Sequence, residues 1–274
     1  MRRTLYSIRA ALRYRGYKPQ PLKFFSALRW LNQFDGDDRD LAERLLDNVI
    51  YLSEDTTRES LLKLNYELMK RLREAGLPAK KLIYVSFHEA GSSSEVILNL
   101  LRDSANLERL GCRLVHLRDT LGLVKAMNEV GEGALIFVDD FIGSGTQFCK
   151  ERDFFAQNFV GTFSEFILAP SICEEAFEKL TERGIQAFAG HKHVKAERPL
   201  HAESSVFNED QRKKLAAVCK RINKFGLGFQ DLATMVVLYR NAPNSVPVML
   251  RGNVNQAPFF GIFPRWMDLP VRQV

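Results

Sequence analysis

The chain reads as an α/β protein: a mainly parallel sheet flanked by helices, with a helical amino-terminal extension and an irregular carboxyl-terminal segment. Three observations predict this. Between Lys81 and Gly190, short apolar runs alternate with stretches of helical period, the pattern of successive β-α-β crossovers. The run Leu135 to Val138 is apolar at every position, as a strand covered on both faces is. Roughly 75 residues of helical pattern precede the first such run.

Taken in order, residues 5–14 predict a short basic helix, ended by Gly16 and the pair Pro19 and Pro21. Leu22 to Gln33 predicts a second helix, and Asp37-Asp38 opens an amphipathic one through Leu52. Ser53 to Thr57 starts a longer helix carrying Leu61, Leu62, Leu64, Leu68 and Leu72, stopped by Gly76 and Pro78. Strands then follow at Leu82–Phe87, Arg113–Leu117, Leu135–Val138, Glu165–Ala169 and Gln186–Gly190. Helices separate them at Glu95–Asn106, Leu121–Val130, Thr146–Phe159 and Cys173–Arg183. A helix at Asn208–Asn223 and an apolar strand at Met235–Tyr239 close the pattern, the latter within a stretch rich in Gly, Asn and Pro. The expected organisation is one compact domain: extension over 1–78, core over 79–225, decoration over 226–274.

Composition narrows the class. With 274 residues, 46% of them hydrophobic, the chain has material for a sizeable core and no compositional mark of disorder. No apolar run reaches the length of a membrane span, and the amino terminus lacks the unbroken apolar region of a signal peptide. Cys112, Cys149, Cys173 and Cys219 are widely spaced, with no CxxC pair, which fits free thiols in a reducing compartment. A cytoplasmic protein with no membrane partner is the expectation. His191 and His193 are too sparse for a metal site and read as ordinary polar positions.

Charge is uneven. Residues 1–34 contain eight Lys or Arg and no Asp or Glu, against +6 for the whole chain, which leaves −2 for the rest. Arg2, Arg3, Arg9 and Arg13 are therefore candidates for a nucleic-acid contact, with Tyr6, Tyr14 and Tyr17 among them to stack on bases. The plainer alternative is a solvated face whose tyrosines dock on the protein's own core.

The most informative segment is Ala134 to Gln147. Its strand ends in two carboxylates, Asp139 and Asp140, and then a small-residue turn, Gly143, Ser144, Gly145 and Thr146, leads into a helix. Ligands of open α/β sheets sit beyond the carboxyl ends of the strands. A glycine-rich turn at a helix start surrounds an anion with backbone N–H groups. Adjacent carboxylates repel each other unless something binds them. A phosphate on the turn and sugar hydroxyls on the carboxylates satisfy all three conditions. An ordinary strand and turn with an acidic helix cap is the reading this displaces.

In this order of residues the chain resembles type I phosphoribosyltransferases, and its wording Asp-Asp-Phe-Ile-Gly-Ser-Gly-Thr-Gln is most similar to the phosphoribosyltransferase-like effectors of bacterial conflict systems (PRTase-CE). Trp30 to Phe34, Arg240 to Asn244 and Phe263 to Arg265 extend the resemblance over most of the chain. It implies the phosphoribosyltransferase fold and a ligand that is phosphoribosyl pyrophosphate (PRPP) or a related nucleotide. It also implies Mg2+ carried by the pyrophosphate, without a direct protein ligand. Asp139 and Asp140 are then the catalytic pair, holding the ribose hydroxyls, while Gly143, Ser144, Gly145, Thr146 and Gln147 wrap the 5′-phosphate. Gln147 departs from the Thr common at that place, exchanging a hydroxyl for an amide.

The remaining assignments follow from position relative to this motif. His88, Glu89, Ala90, Gly91, Ser92 and Ser93 stand where a pyrophosphate loop belongs, although a serine helix cap beside a surface histidine has the same appearance. Arg118 is the candidate for a loop closing over the reaction, its alternative being a surface turn. Arg240, Asn241 and Asn244 are candidates for an acceptor or base pocket; Phe259, Phe260 and Trp266 are either stacking surfaces or core. The implied role is phosphoribosyl transfer or cleavage in anti-phage defence, with a retron reverse transcriptase and its nucleic acid as possible partners, or an oligomer. A non-catalytic nucleotide sensor and a nucleic-acid-binding scaffold are the alternatives.

Overall fold

The structure, a computed structural model, describes residues 2–86, 93–252 and 259–266. In chain order the elements are α1 (Arg2–Arg13), α2 (Phe24–Leu31), α3 (Gly36–Asp47), β1 (Ile50–Leu52), α4 (Glu54–Glu74), β2 (Leu82–Ser86) and α5 (Ser93–Ala105). There follow β3 (Arg113–His116), α6 (Thr120–Val130), β4 (Glu132–Val138), β5 (Phe141–Ile142), α7 (Thr146–Ala156) and β6 (Thr162–Cys173). The last are α8 (Glu174–Glu182), β7 (Gln186–His193), α9 (Glu209–Ile222), β8 (Val236–Leu238) and α10 (Val248–Arg251). They divide between two compact units, residues 55–192 and residues 1–54 with 193–274. None of the described helices is long and apolar enough to cross a membrane.

The 55–192 unit is built on a six-stranded sheet of order β3-β2-β4-β6-β5, with β7 also paired to β6. The β3–β2, β2–β4, β4–β6 and β6–β5 pairs are parallel. Its strands alternate between two apolar layers, as period-2 side chains must. Leu135, Phe137, Ile83, Val85 and Ile167 pack with α6, α7 and α8; Ala134, Ile136, Val138, Tyr84 and Leu168 pack with α4 and α5. This is the predicted mainly parallel sheet with helices on both faces. β6 is longer than its apolar stretch predicts, beginning at Thr162 and continuing through Ser171 to Cys173. A strand paired along both its edges holds polar residues that local composition places in loops.

The other unit joins the two ends of the described chain. Here the expectation of one helix from Asp37 to Leu52 is corrected: α3 stops at Asp47, and Ile50–Leu52 is a strand parallel to β8. Ile50 N donates to Met235 O at 2.9 Å and Tyr239 N to Leu52 O at 2.8 Å. The partner lies almost the whole chain away, so no local signal announces it. The division also falls elsewhere than the expected 78/79 and 225/226 boundaries: α4 belongs with the large sheet, and α9 with the amino-terminal helices.

The tyrosines of the basic segment are core residues. Tyr14 and Tyr17 are fully buried. Tyr14 Oη donates to Leu46 O at 2.7 Å and Tyr17 Oη to Pro264 O at 2.8 Å, while the partly buried Tyr6 donates to Glu43 O at 2.7 Å. Trp30 Nε1 donates to Met249 O, and the Gln33 amide exchanges two bonds with the Phe260 backbone. The Trp30–Phe34 and Phe263–Arg265 stretches are therefore seams that close this unit. Phe259 meets Phe34 edge-on at 5.6 Å, and Trp266 is exposed.

Tyr14→Ala should cost about 3–5 kcal/mol, the usual range for emptying an aromatic core position. An Ala at the exposed Arg3 should stay within about 0.5 kcal/mol of wild type. Chemical denaturation followed through the fluorescence of Trp30, which lies in the same core, checks both.

Candidate functional site

The sheet order places a site before any side chain is considered. From β2 the chain moves outward to β3, and from β4 it moves the opposite way to β6. The reversal opens a crevice between β2 and β4 at their carboxyl ends, where ligands of such sheets bind. The strands end level there: Ser86 pairs with Val138 on one side and with His116 on the other.

Asp139 and Asp140 leave β4 at this point. β6 holds the chain on both sides of them in unbroken register, Val138 opposite Leu168 and Phe141 opposite Ser171. Asp139 N donates to Leu168 O at 3.2 Å, and Asp140 N donates to Asp139 Oδ1 at 2.9 Å. The pair is a two-residue gap in an otherwise continuous ladder, with both residues more than nine-tenths buried. Burial first, and the neighbouring Asp140 charge second, push the Asp139 carboxyl well above the usual carboxylate range.

Next comes the turn. Gly145 caps α7 in the left-handed region with φ of +70°, and a Cβ there would lie 3.3 Å from Ala176 Cβ, so conformation and space both call for glycine. Ser144 Oγ donates to Thr146 Oγ1 at 3.1 Å. Lys179, on α8, donates from Nζ to Ser144 O at 2.9 Å and to Thr146 Oγ1 at 3.0 Å. Behind the turn α7 is anchored by Phe148 against Phe137 at 5.2 Å, and by Arg152, whose Nε donates to Glu165 Oε2 at 2.9 Å. Gln147 Nε2 reaches Glu151 Oε1 at 3.5 Å, so its amide lies along α7.

Of the other expected site residues, His88, Glu89, Ala90, Gly91 and Ser92 lie outside the described residues, and Ser93 is the first residue of α5. The 116–120 segment is a tied three-residue connection. Leu117 is buried and donates its N–H to Ser86 O at 2.7 Å, and Asp119 caps α6 by accepting from Gly122 N at 2.9 Å. Arg118 lies 3.5 Å from Glu151 of α7. Two further residues belong to this edge, His116 from the segment expected to close over the reaction and Lys179 from outside every expected site. His116 Nδ1 is 2.6 Å from the buried Ser86 Oγ, with Glu95 Oε1 3.7 Å from Nε2. Neither carries a local motif; only strand register and helix packing bring them in.

Arg240, Asn241 and Asn244 fall in the other unit, on the turn after β8. Arg240 Nη1 and Asn241 Oδ1 are shielded from solvent without a hydrogen-bond partner among the described residues, as in a polar site awaiting a ligand or water. Asn244 is exposed. His193 is satisfied internally, Nδ1 on Glu197 at 2.9 Å and Nε2 accepting from Met235 N at 3.2 Å. In the basic segment Arg9 pairs with Asp47 at 2.7 Å, and Arg13 donates to the Asp47 and Val49 carbonyls. Arg3 is exposed, and the side chain of Arg2 lies outside the described residues.

The PRTase-CE family model matches residues 27–265, both units included. The chain belongs to the PRTase-CE family. Among solved structures it is similar to orotate phosphoribosyltransferase from Aeropyrum pernix, at 17% identity over 48% of this chain and 69% of that one, with a TM-score of 0.32. No curated protein matches the chain.

In this PRTase-CE chain the raised Asp139 pKa has a consequence for stability. The folded state holds that proton more tightly than the unfolded chain does. The resulting stabilisation is complete below the ordinary carboxylate pKa of about 4 and fades as pH rises through the raised value. At neutral pH the ligand-free pair is therefore a burden that Asp139→Asn removes, while the Asn Oδ1 still accepts from Asp140 N. Thermal scans should show Asp139→Asn raising Tm at pH 7 by roughly 2–4 °C, with the gap to wild type closing toward pH 4.

Proposed function

We propose that this PRTase-CE chain binds PRPP or a related nucleotide with Mg2+ and transfers or cleaves its phosphoribosyl group, in the setting of bacterial anti-phage defence. One observation carries the reading: a buried, register-locked carboxylate pair at the switch point runs directly into a turn and helix start suited to phosphate. Ribose hydroxyls are neutral donors whose chemistry suits such a pair. Two carboxylates held by β6 orient a sugar diol without rearranging, and the spared reorganisation is a large part of what positioning contributes to catalysis.

As pyrophosphate departs, C1 of the ribose gains positive charge. Asp139 and Asp140, desolvated and fixed, stabilise it through space, and the acceptor enters from the opposite face. Thr146 and the N–H groups of the turn hold the 5′-phosphate. Mg2+, when bound with the pyrophosphate, supplies charge neutralisation for the leaving group. The carboxylates offer the oxygen chemistry that Mg2+ accepts, but the reading assigns them to the sugar. The solvent-shielded atoms of Arg240 and Asn241 mark a polar recognition element within their own unit. A retron reverse transcriptase or its nucleic acid remains a proposed partner, with Arg3, Arg9 and Arg13 all exposed.

The test incubates purified protein with PRPP, Mg2+ and a pool of nucleobases and nucleotides, read by mass spectrometry against Asp139→Asn/Asp140→Asn. Wild type should release pyrophosphate and form a phosphoribosylated or hydrolysed product, and the double variant should lose at least a hundredfold, about 2.7 kcal/mol of transition-state stabilisation. Full activity in a folded double variant would sink the site assignment. Binding without turnover would support the sensor.

A further inference from the structure

Lys179 lies outside every segment that carries the phosphate–sugar signature, yet its ammonium ends on the turn. Nζ donates to the Ser144 carbonyl at 2.9 Å and to Thr146 Oγ1 at 3.0 Å. One turn earlier on the same helix, Ala176 is the wall against which Gly145 packs. Two residues of α8 thus define the floor of the turn.

An anion site made of backbone N–H groups works only while the neighbouring carbonyls point elsewhere. Ser144 is flanked by Gly143 and Gly145, so the peptide joining Ser144 to Gly145 has more than one orientation within reach. In one of them its carbonyl points toward α8; reversed, the carbonyl oxygen occupies the ligand's side. A trans peptide sets C=O and N–H in opposite directions. Bonding the Ser144 carbonyl from α8 therefore turns the Gly145 N–H the other way, toward the expected phosphate. The same ammonium fixes the Thr146 hydroxyl oxygen as an acceptor, which frees its proton for a phosphate oxygen. It also leaves a full positive charge next to the position of a dianion.

We infer that Lys179 is a positioning residue for the phosphate turn, setting the Ser144–Gly145 peptide and the Thr146 hydroxyl to receive the 5′-phosphate. The inference rests on the phosphoribosyl reading of the site. It assigns Lys179 no contact with the sugar or the pyrophosphate, and this makes it separable from a general structural role.

The experiment is isothermal titration of the full chain with ribose 5-phosphate, with PRPP and Mg2+, and with pyrophosphate and Mg2+. The proteins are wild type, Lys179→Met, Lys179→Gln, Lys179→Arg and Asp139→Asn/Asp140→Asn. Lys179→Met should weaken ribose 5-phosphate and PRPP by roughly ten- to a hundredfold, the worth of a charge-assisted hydrogen bond, and leave pyrophosphate unchanged. Lys179→Arg should recover part of the loss. Lys179→Gln keeps a donor without the charge and should fall between Met and Arg. Should Lys179→Met bind ribose 5-phosphate as wild type does while the double Asp variant fails, the inference is overturned and the phosphoribosyl reading stands. An equal loss for all three ligands overturns it in favour of a structural role. If wild type binds neither ribose 5-phosphate nor PRPP, the reading beneath it has failed.

Discussion

β6 is the strand on which the candidate site depends. It is the longest strand of the sheet, and it pairs with β4 before the acidic pair and with β5 after it, at one constant register. A parallel ladder interrupted for two residues and then resumed holds the backbone of those residues from both ends. Asp139 and Asp140 are consequently carried on a fixed backbone, both buried although like charges side by side disfavour it. The rigidity comes from main-chain hydrogen bonds and from apolar layers on both faces of β4, with one further bond from Asp140 N to Asp139 Oδ1. The sheet holds the pair where burial and the neighbouring charge raise the Asp139 pKa.

Much of this was legible from residues alone, because strands buried on both faces announce themselves. Leu82 to Val85 and Leu135 to Val138 are apolar without interruption, and the helices between them keep an apolar stripe. The acidic pair and the glycine turn were legible for another reason: few structural needs put two carboxylates and two glycines within seven residues. What escaped has a common physical character. Ile50–Leu52 is a strand because Val236–Leu238 lies beside it, a contact that propensity does not encode. The polar ends of β6 are strand for the same reason. Lys179 looks like any exposed lysine of an amphipathic helix until the packing of α8 brings it to Ser144.

The basic amino terminus shows how composition misleads in the other direction. Eight cations without an acidic residue suggest a polyanion-binding arm, and three tyrosines among them suggest stacking on bases. In the folded unit Tyr14 and Tyr17 are buried with their hydroxyls on backbone carbonyls, and Arg9 and Arg13 face the end of α3. Several of the cations therefore serve to dock α1, where an acidic residue and exposed carbonyls require donors. The outward side of the same helix carries Leu5 and Leu12, each more than half exposed. Phosphate chemistry gives no reason for that aliphatic surface.

The flanking stretches that extend the family resemblance can be understood through the same packing. Trp30 and Gln33 bond distant backbone and the Pro264 carbonyl accepts from the Tyr17 hydroxyl, closing the unit that contains both ends of the described chain. Their chemistry is that of seams, and no ligand is needed to explain them. Arg240 and Asn241 differ, because a shielded guanidinium nitrogen and a shielded amide oxygen are left without partners on a turn of that unit. A buried polar atom bonded to distant backbone is accounted for by packing, whereas a shielded charged or amide group left unpaired calls for water or a ligand. By that criterion the Arg240–Asn241 turn stands apart from Trp30 and Gln33.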